Sequence, residues 1–267
     1  MKTYAVNEKN TLKSFTDNAC AQASFRFRIL LKEGRIRVNG KRVFHDTPLN
    51  AGDRVDYYLT EKEEKKTAFT ILFEDENIIV IDKEDGVNSE AVFSALSERG
   101  EVKFIHRLDR NTAGVMVFAK NDKAEEELLA VFRDRRVEKS YLALVVGTPL
   151  NPHAVEEAFL KKDDKNSRVH ISLNAGEKIV TEYKVLENRG ETCLLRVTLH
   201  TGKTHQIRAH LAYLGFPVAG DEKYGDSAFN KAHNMTRQRL VSKELRLNCE
   251  GALSYLQGQT FVSSREL

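Results

Sequence analysis

The spacing of apolar positions changes several times along the chain, and each change predicts a different element. In SFRFRILLKEG at 24–34, Phe27, Leu30 and Leu31 recur at spacings of three and four, between Ser24 as N-cap and Gly34 as stop, which predicts a helix. RIRVNGKRV then alternates about Asn39-Gly40, a two-residue hairpin signal, and LNAGDRVDYYL predicts a turn and a further strand. Strand patterns follow at 77–82, 114–120, 140–147, 154–161, 179–187 and 192–200. Helical periods appear at 123–135 and 204–215; in the second, Ile207, Leu211 and Leu214 share a face and Gly215 ends it. Successive strands with few helices between them predict an α+β fold with a mainly antiparallel, mixed sheet, rather than a doubly wound parallel one.

The charged stretch TEKEEKKTA at 60–68 interrupts these patterns and reads as a solvated linker. It divides the chain into a small αβ domain at 1–60, a linker at 61–68 and a larger domain at 69–267. The formal net charge of +3 is uneven: residues 1–66 hold 14 Lys and Arg against 9 Asp and Glu, so +5, and the remainder is −2. That basic excess is the footprint expected of a nucleic-acid-binding module. On the predicted helix, Arg26, Arg28, Lys32 and Arg35 lie off the apolar stripe, open to a polyanion, and Lys41 and Arg42 extend the basic surface onto the hairpin.

The remaining composition narrows the class. Hydrophobic residues at 41% and charged residues at 30% suit a globular chain, and no apolar run approaches membrane-spanning length. No apolar segment follows the first lysine, so no export signal is expected and the cytoplasm is the expected location. Cys20, Cys193 and Cys249 are widely spaced with no C-x-x-C pair, which predicts buried, reduced thiols without metal or redox work.

Unusual polar residues concentrate in HRLDRNTAG at 106–114, EKSYLALVVG at 138–147 and LHTGKTHQIRAHLAYLGFPVAGDEKYG at 199–225. Gly202-Lys203-Thr204 is not the end of a phosphate loop, because Val197 stands where a glycine is required. His205 and His210 are five apart, about 140° around a helix, so they do not share a face as metal ligands would; hydrogen bonding in a polar framework or cleft is the expected role. Asp109 lies between Arg107 and Arg110. Such an acid is either a surface ion pair of little consequence or a nucleophile kept ionised by cationic surroundings.

HRLDRNTAGVMVFAK resembles the signature H-R-L-D-x-x-T-[SA]-G of the RluA family of pseudouridine synthases. GKTHQIRAHLA with GFPVAGDEKYG, and Lys139-Ser140-Tyr141 with LALVVG, resemble two further motifs of that family in the same order. Residues 11–60 resemble the S4 RNA-binding domain through the arginine-bearing helix, G-x-I-x-V-N-G-K-x-V and a G-D-x-V strand. The resemblance implies isomerisation of uridine in RNA to pseudouridine with no cofactor and no metal, by a protein expected to be monomeric. The domain order suggests large-subunit ribosomal RNA as substrate, with transfer RNA as the alternative. It implies Asp109 as catalytic carboxylate, Arg208 as its ion-pair partner and Tyr141 against the uracil, stacking and moving a proton. It implies Arg107 in displacing the target base, with Lys203, His205 and Gln206 also facing RNA.

Thr112, Ala113 and Gly114 read as scaffold, a turn letting the chain enter the next strand closely packed, and Asp221 and Tyr224 as holding a cleft-lining loop. One departure stands out. Where the family has K-P-x-G, this chain has Lys83-Glu84-Asp85-Gly86 preceded by Asp82 and followed by VNSE, and the added acids are expected to repel phosphate. A non-catalytic RNA-binding protein is the competing reading, disfavoured by the joint presence of Asp109, Tyr141 and Arg208. A glycoside hydrolase lacks a second carboxylate in a comparable motif.

Overall fold

The N-terminal residues fold around a core of their own. Strands β1 (Lys2–Ala5) and β2 (Asn10–Thr11) precede three helices, α1 (Leu12–Ala19), α2 (Ala21–Phe25) and α3 (Phe27–Lys32), followed by β3 (Ile36–Val38), β4 (Lys41–Arg42), β5 (Pro48–Leu49) and β6 (Arg54–Tyr57). The sheet order is β1-β6-β3-β4, and Leu12, Leu30, Ile36, Val55 and Tyr57 are fully buried between sheet and helices. The hairpin turns at Asn39 (φ 51°) and Gly40 (φ 79°), the left-handed pair that a two-residue connection demands. The computed structural model describes residues 1–64, 68–163, 168–172 and 174–267, apart from the side chains of Ala21, Phe25 and Lys62.

Two expectations for this unit are corrected. The helix expected from Ser24 is broken at Arg26 (φ −122°, ψ 18°) into α2 and α3. Ser24 lies inside α2 and donates its hydroxyl to Asp17 Oδ1 at 2.6 Å, so a tertiary bond has replaced the cap. The expected linker also begins as structure: α4 (Glu61–Glu64) folds back, and Glu63, 9% exposed, pairs with Arg26 and Arg35. Ala68 is already buried in the larger core, and residues 65–67 of the expected linker lie outside the described residues.

Among the described residues the larger unit is one eleven-stranded sheet with helices packed on it. Its elements in chain order are β7 (Phe69–Glu74), β8 (Ile78–Lys83), α5 (Ser89–Ser97), β9 (Lys103–Phe104), β10 (Ala113–Ala119), α6 (Asp122–Arg133) and β11 (Val137–Val146). Then come β12 (His153–Asp163), β13 (Arg168–Ser172), β14 (Glu177–Asn188), β15 (Thr192–Leu199), α7 (Gln206–Tyr213), α8 (Ser227–Ala232), β16 (Leu240–Leu247), a 3₁₀ turn at Gly251–Leu256 and β17 (Gln259–Val262). The strand order is β13-β12-β14-β15-β11-β16-β10-β8-β7, with β17 on β16 and β9 on β10. Pairing is antiparallel except between β10 and β16, so the expected α+β class with a mixed sheet holds.

Both faces of the sheet are covered, which explains why β10 and the first four residues of β8 are continuously apolar rather than alternating. Ile79, Ile81, Met116 and Phe118 face one core with Leu211; Ile78, Val80, Val115 and Val117 face the other with Leu128 of α6. Gly114 (φ 115°) lies where β10 meets β16 in parallel, and a Cβ there would stand 2.2 Å from the Ser242 carbonyl oxygen. The central strands end at this junction, and the loop before β10 carries Asp109. Among the described residues no helix is long and apolar enough to cross a membrane, and all three cysteines are free and buried.

Candidate active site

The loop from His106 to Thr112 is fastened at both ends. Ser89, at the start of α5, accepts the Leu108 amide at 3.0 Å and donates to the Leu108 carbonyl at 2.9 Å. The Thr112 amide donates to the Asp109 carbonyl at 3.0 Å, and Gln238 donates to the Thr112 hydroxyl at 2.9 Å. His106 Nε2 accepts the Val117 amide at 3.1 Å while its ring stacks on Phe132. Burial pushes its pKa down to about 3, so it is neutral here.

Asp109 is thereby held against α7. Arg208 Nη1 donates to Asp109 Oδ2 at 2.8 Å, while Nε and Nη2 donate to the two oxygens of Asp221 at 2.7 and 3.0 Å. One planar guanidinium thus joins two carboxylates in a fixed plane, a geometry lysine could not reproduce. Asp221 Oδ1 also accepts the amides of Lys223 and Tyr224 at 2.8 and 3.1 Å. Burial alone would push Asp221 upward, but Arg208 and these amides outweigh it and hold its carboxyl below the ordinary value. For Arg208, burial works against the charge, yet Asp221 and Asp109 raise its pKa further.

His205 takes the left-handed conformation (φ 55°) at the start of α7. Its Nδ1 is 3.0 Å from the Tyr224 hydroxyl, which also accepts the Val169 amide, and its Nε2 is 3.9 Å from Asp109 Oδ2. Burial lowers its pKa, with Asp109 acting in the opposite sense, so it faces Asp109 as a neutral imidazole. His210 is 1% exposed, hydrogen-bonded to Thr181 and pushed down to about 4 by burial. Among the described residues no group of three or more His, Cys, Asp or Glu side chains could hold a metal ion.

Asp109, Arg208 and Tyr141 line one cavity of about 850 Å³. Burial pushes the Tyr141 phenol up to about 12, which keeps it protonated at neutral pH and makes it a poor proton acceptor. Seven Lys and Arg residues line the cavity, as do two acids, Asp109 and Glu222; of the seven, Arg107, Arg110, Lys203 and Arg208 pair with carboxylates. Lys139 was named in the sequence only as part of a motif, without a role, and Arg168 was not singled out. Lys139 is two residues before Tyr141 on β11, with its ammonium over the Phe132 ring and no carboxylate partner among the described residues.

The other expected RNA contacts divide. Arg107 is exposed at the cavity rim, paired with Glu90 at 3.0 Å, and Lys203 pairs with Glu177 at 2.9 Å. Gln206 is corrected: it is 2% exposed, and its amide is spent on the Val180 carbonyl, the Thr181 and Thr201 hydroxyls and the Lys203 amide, which makes it framework. Arg28, Lys41 and Arg42 are exposed as expected. Arg26 is exposed but tied to Glu63, and Arg35 is held by Glu63, Glu33 and the Tyr58 carbonyl, so it is not open to a polyanion.

The acids at the end of β8 and just after it are corrected as well. Asp82 is fully buried and binds Ser263, Ser264 and Arg265; Glu84 also pairs with Arg265 at 2.8 Å, and Asp85 is 3.8 Å from Arg237. Their charge is balanced within the protein rather than presented to phosphate. Lys83, also fully buried, places its Nζ within hydrogen-bond distance of the carbonyls of Glu84, Val87 and Arg110, tying this turn to the loop that carries Asp109, while burial pushes its pKa down to about 7.

Residues 77–213 match the family described as RNA pseudouridylate synthase. The chain is 34% identical over 245 residues to the ribosomal large subunit pseudouridine synthase C of Vibrio vulnificus (strain CMCP6), covering 81% of this chain and 78% of that protein. It is 35% identical over 222 residues to an uncharacterized RNA pseudouridine synthase of Aquifex aeolicus (strain VF5), covering 73% and 70%. The solved structure of human RNA pseudouridylate synthase domain containing 1 superposes with a TM-score of 0.61 at 24% identity over 74% of this chain and 91% of that one, a likeness of fold.

Proposed function

Since this chain belongs to the RNA pseudouridine synthases of the RluA family, we propose that it isomerises uridines in large-subunit ribosomal RNA, with Asp109 as the catalytic carboxylate. The observation that carries the assignment is the Asp109–Arg208–Asp221 chain on the wall of a cation-lined cavity that also holds Tyr141. The ribosomal substrate rests on the relative from Vibrio vulnificus, whose name states that substrate.

The net reaction breaks the bond from uracil N1 to ribose C1′, forms one from C5 to the same C1′, and moves a proton from C5 to solvent while N1 gains one. A stacked uridine first leaves its helix, at a cost of a few kcal/mol. Arg107 at the rim braces the vacated stack, because a guanidinium can lie on a base and bond phosphate together. Lys139, Arg168 and Lys203 receive phosphates of the displaced strand. Asp109 then acts at the ribose, either on C1′ or by removing the 2′ proton. Arg208 offsets its charge and fixes its direction, while Asp221 fixes Arg208. Tyr141, protonated, packs on the uracil as it turns.

The N-terminal unit, read as S4-like, adds affinity through Arg28, Lys41 and Arg42. We place the enzyme in the cytoplasm as a monomer, the reduced thiols being in keeping with that compartment. Pseudouridine mapping of total RNA from cells with and without the gene tests the substrate. Loss of sites in large-subunit ribosomal RNA is expected; loss in transfer RNA alone would overturn the ribosomal assignment.

A further inference from the structure

Arg110 follows Asp109 directly, yet its side chain turns away from the carboxylate and bridges the two units of the chain. Its Nε donates to the Gly86 carbonyl at 3.0 Å, within the larger unit. Its Nη2 donates to the Ser24 carbonyl at 3.2 Å and lies 3.5 Å from Asp17 Oδ1, both in the N-terminal unit. Asp17 is 6% exposed and is held in turn by the Ser24 hydroxyl and by Lys13, both at 2.6 Å. On the other side, the Arg110 carbonyl accepts the fully buried Lys83 ammonium at 3.2 Å. Backbone and side chain of one residue therefore fasten to three segments. The contact is part of a wider seat: α1 and α2 pack on α5, and Ser94 of α5 donates to the Asn18 carbonyl at 3.2 Å.

We propose that Arg110 is a positioning residue through which docking of the N-terminal unit sets the Asp109 loop, so that this unit contributes to the chemical step as well as to RNA affinity. The proposal rests on the reading of Asp109 as the catalytic carboxylate. A guanidinium presents separate edges to two bodies in one plane, which suits it to hold them in fixed relation. Asp109 is one bond from this anchor, and a displacement of about 1 Å in a reacting group can cost a hundredfold in rate. A module that only gathered RNA would need no contact with the loop bearing the carboxylate.

The test uses the full-length chain. Asp17→Asn keeps the shape at the junction and removes the charge facing Arg110; Arg110→Met removes the bridge from the other side. With saturating enzyme, Asp17→Asn should lower the single-turnover rate of pseudouridine formation about tenfold, with the Kd for the same RNA changed less than about twofold. The two losses should be non-additive in the double variant, as expected of one shared interaction. Ser94→Ala, which removes one peripheral hydrogen bond to the Asn18 carbonyl and leaves Arg110 and Asp17 in place, should keep the wild-type rate. Hydrogen exchange at the Thr112 amide, bonded to the Asp109 carbonyl, should quicken in Asp17→Asn without any RNA present. An unchanged saturated rate with unchanged Thr112 exchange, or fully additive losses, would overturn the coupling. Should Arg110→Met fail to fold, Asp17→Asn decides alone. If the wild-type protein forms no pseudouridine, the functional reading falls, and the exchange measurement still decides whether Arg110 transmits docking to the loop.

Discussion

Replacing Asp221 with Asn isolates the part of the site that holds Arg208 without touching Asp109. The Asp221 side chain is fully buried and receives four donors, two from Arg208 and the amides of Lys223 and Tyr224. Asparagine at the Oδ1 position keeps an acceptor for Nη2 and both amides, but turns an NH₂ group toward Arg208 Nε. One charge-assisted hydrogen bond is lost, worth about 1.5–3 kcal/mol. A buried guanidinium also loses one of its two counter-charges, and breaking such pairs costs about 3–5 kcal/mol. Taking about 3 kcal/mol, and a shift of about 2–4 °C per kcal/mol for a chain of this size, Tm should fall by about 6–12 °C. The sign of the pH dependence follows from the carboxyl being held below its ordinary value. Its contribution is complete above a pH of about 4 and is lost as the pH falls through the lowered pKa, so variant and wild type should converge in acid. Thermal unfolding by circular dichroism at pH 7 and in acid measures both effects, and single-turnover assays should show a slower chemical step. A wild-type Tm at pH 7 together with a wild-type rate would refute the claim that Asp221 holds Arg208 in place.

Gly114→Ala puts a methyl 2.2 Å from the Ser242 carbonyl oxygen at a φ of 115°. It should cost about 3 kcal/mol in urea unfolding, and an unchanged midpoint would contradict the tight β10–β16 junction. His210 is buried neutral with its pKa pushed down to about 4, so the unfolded chain binds a proton that the folded chain does not as the pH drops below about 6.5. Its share of stability, at most about 3 kcal/mol, should fade between that pH and about 4, and His210→Gln should flatten this part of the stability profile. Replacing Arg28, Lys41 and Arg42 together with Gln should lower the slope of log Kd against log salt by about 2, at about 0.7 per single-strand phosphate contact. An unchanged slope would remove the N-terminal unit from the RNA-contact account.

Much of the larger unit was legible because its strands are long and bounded by turns. The six predicted strands agree with β8, β10, β11, β12, β14 and β15 to within about three residues, and the two helices match α6 and α7. The break at Arg26 was not legible, because Phe27, Leu30 and Leu31, which carry the helical spacing, all lie in α3 beyond it, and that spacing says nothing of Ser24, whose hydroxyl goes to Asp17 of α1. Likewise, only the return of α4 places Glu63 over Arg35 and not over Arg28, adding to the neighbouring Glu33. In the site, the proximity of Arg208 to Asp109 followed from motif resemblance, whereas Asp221 as the second anchor of Arg208 needed the fold. Gln206 was misjudged because THQIR reads as one polar stretch, although α7 turns Gln206 inward and leaves His205 facing Asp109. The acids at the end of β8 and just after it were misjudged because their partners, Arg265 and Arg237, lie more than 150 residues away.

The most direct test of the account is pseudouridine formation by the purified protein on unmodified ribosomal and transfer RNA, with Asp109→Asn beside wild type. Wild type should modify one or a few uridines in large-subunit ribosomal RNA. Asp109→Asn should modify none while binding the same RNA with an affinity within a few fold of wild type. Substantial pseudouridine from Asp109→Asn would contradict the assignment of the catalytic carboxylate, and none from wild type on either RNA would contradict the proposed activity itself.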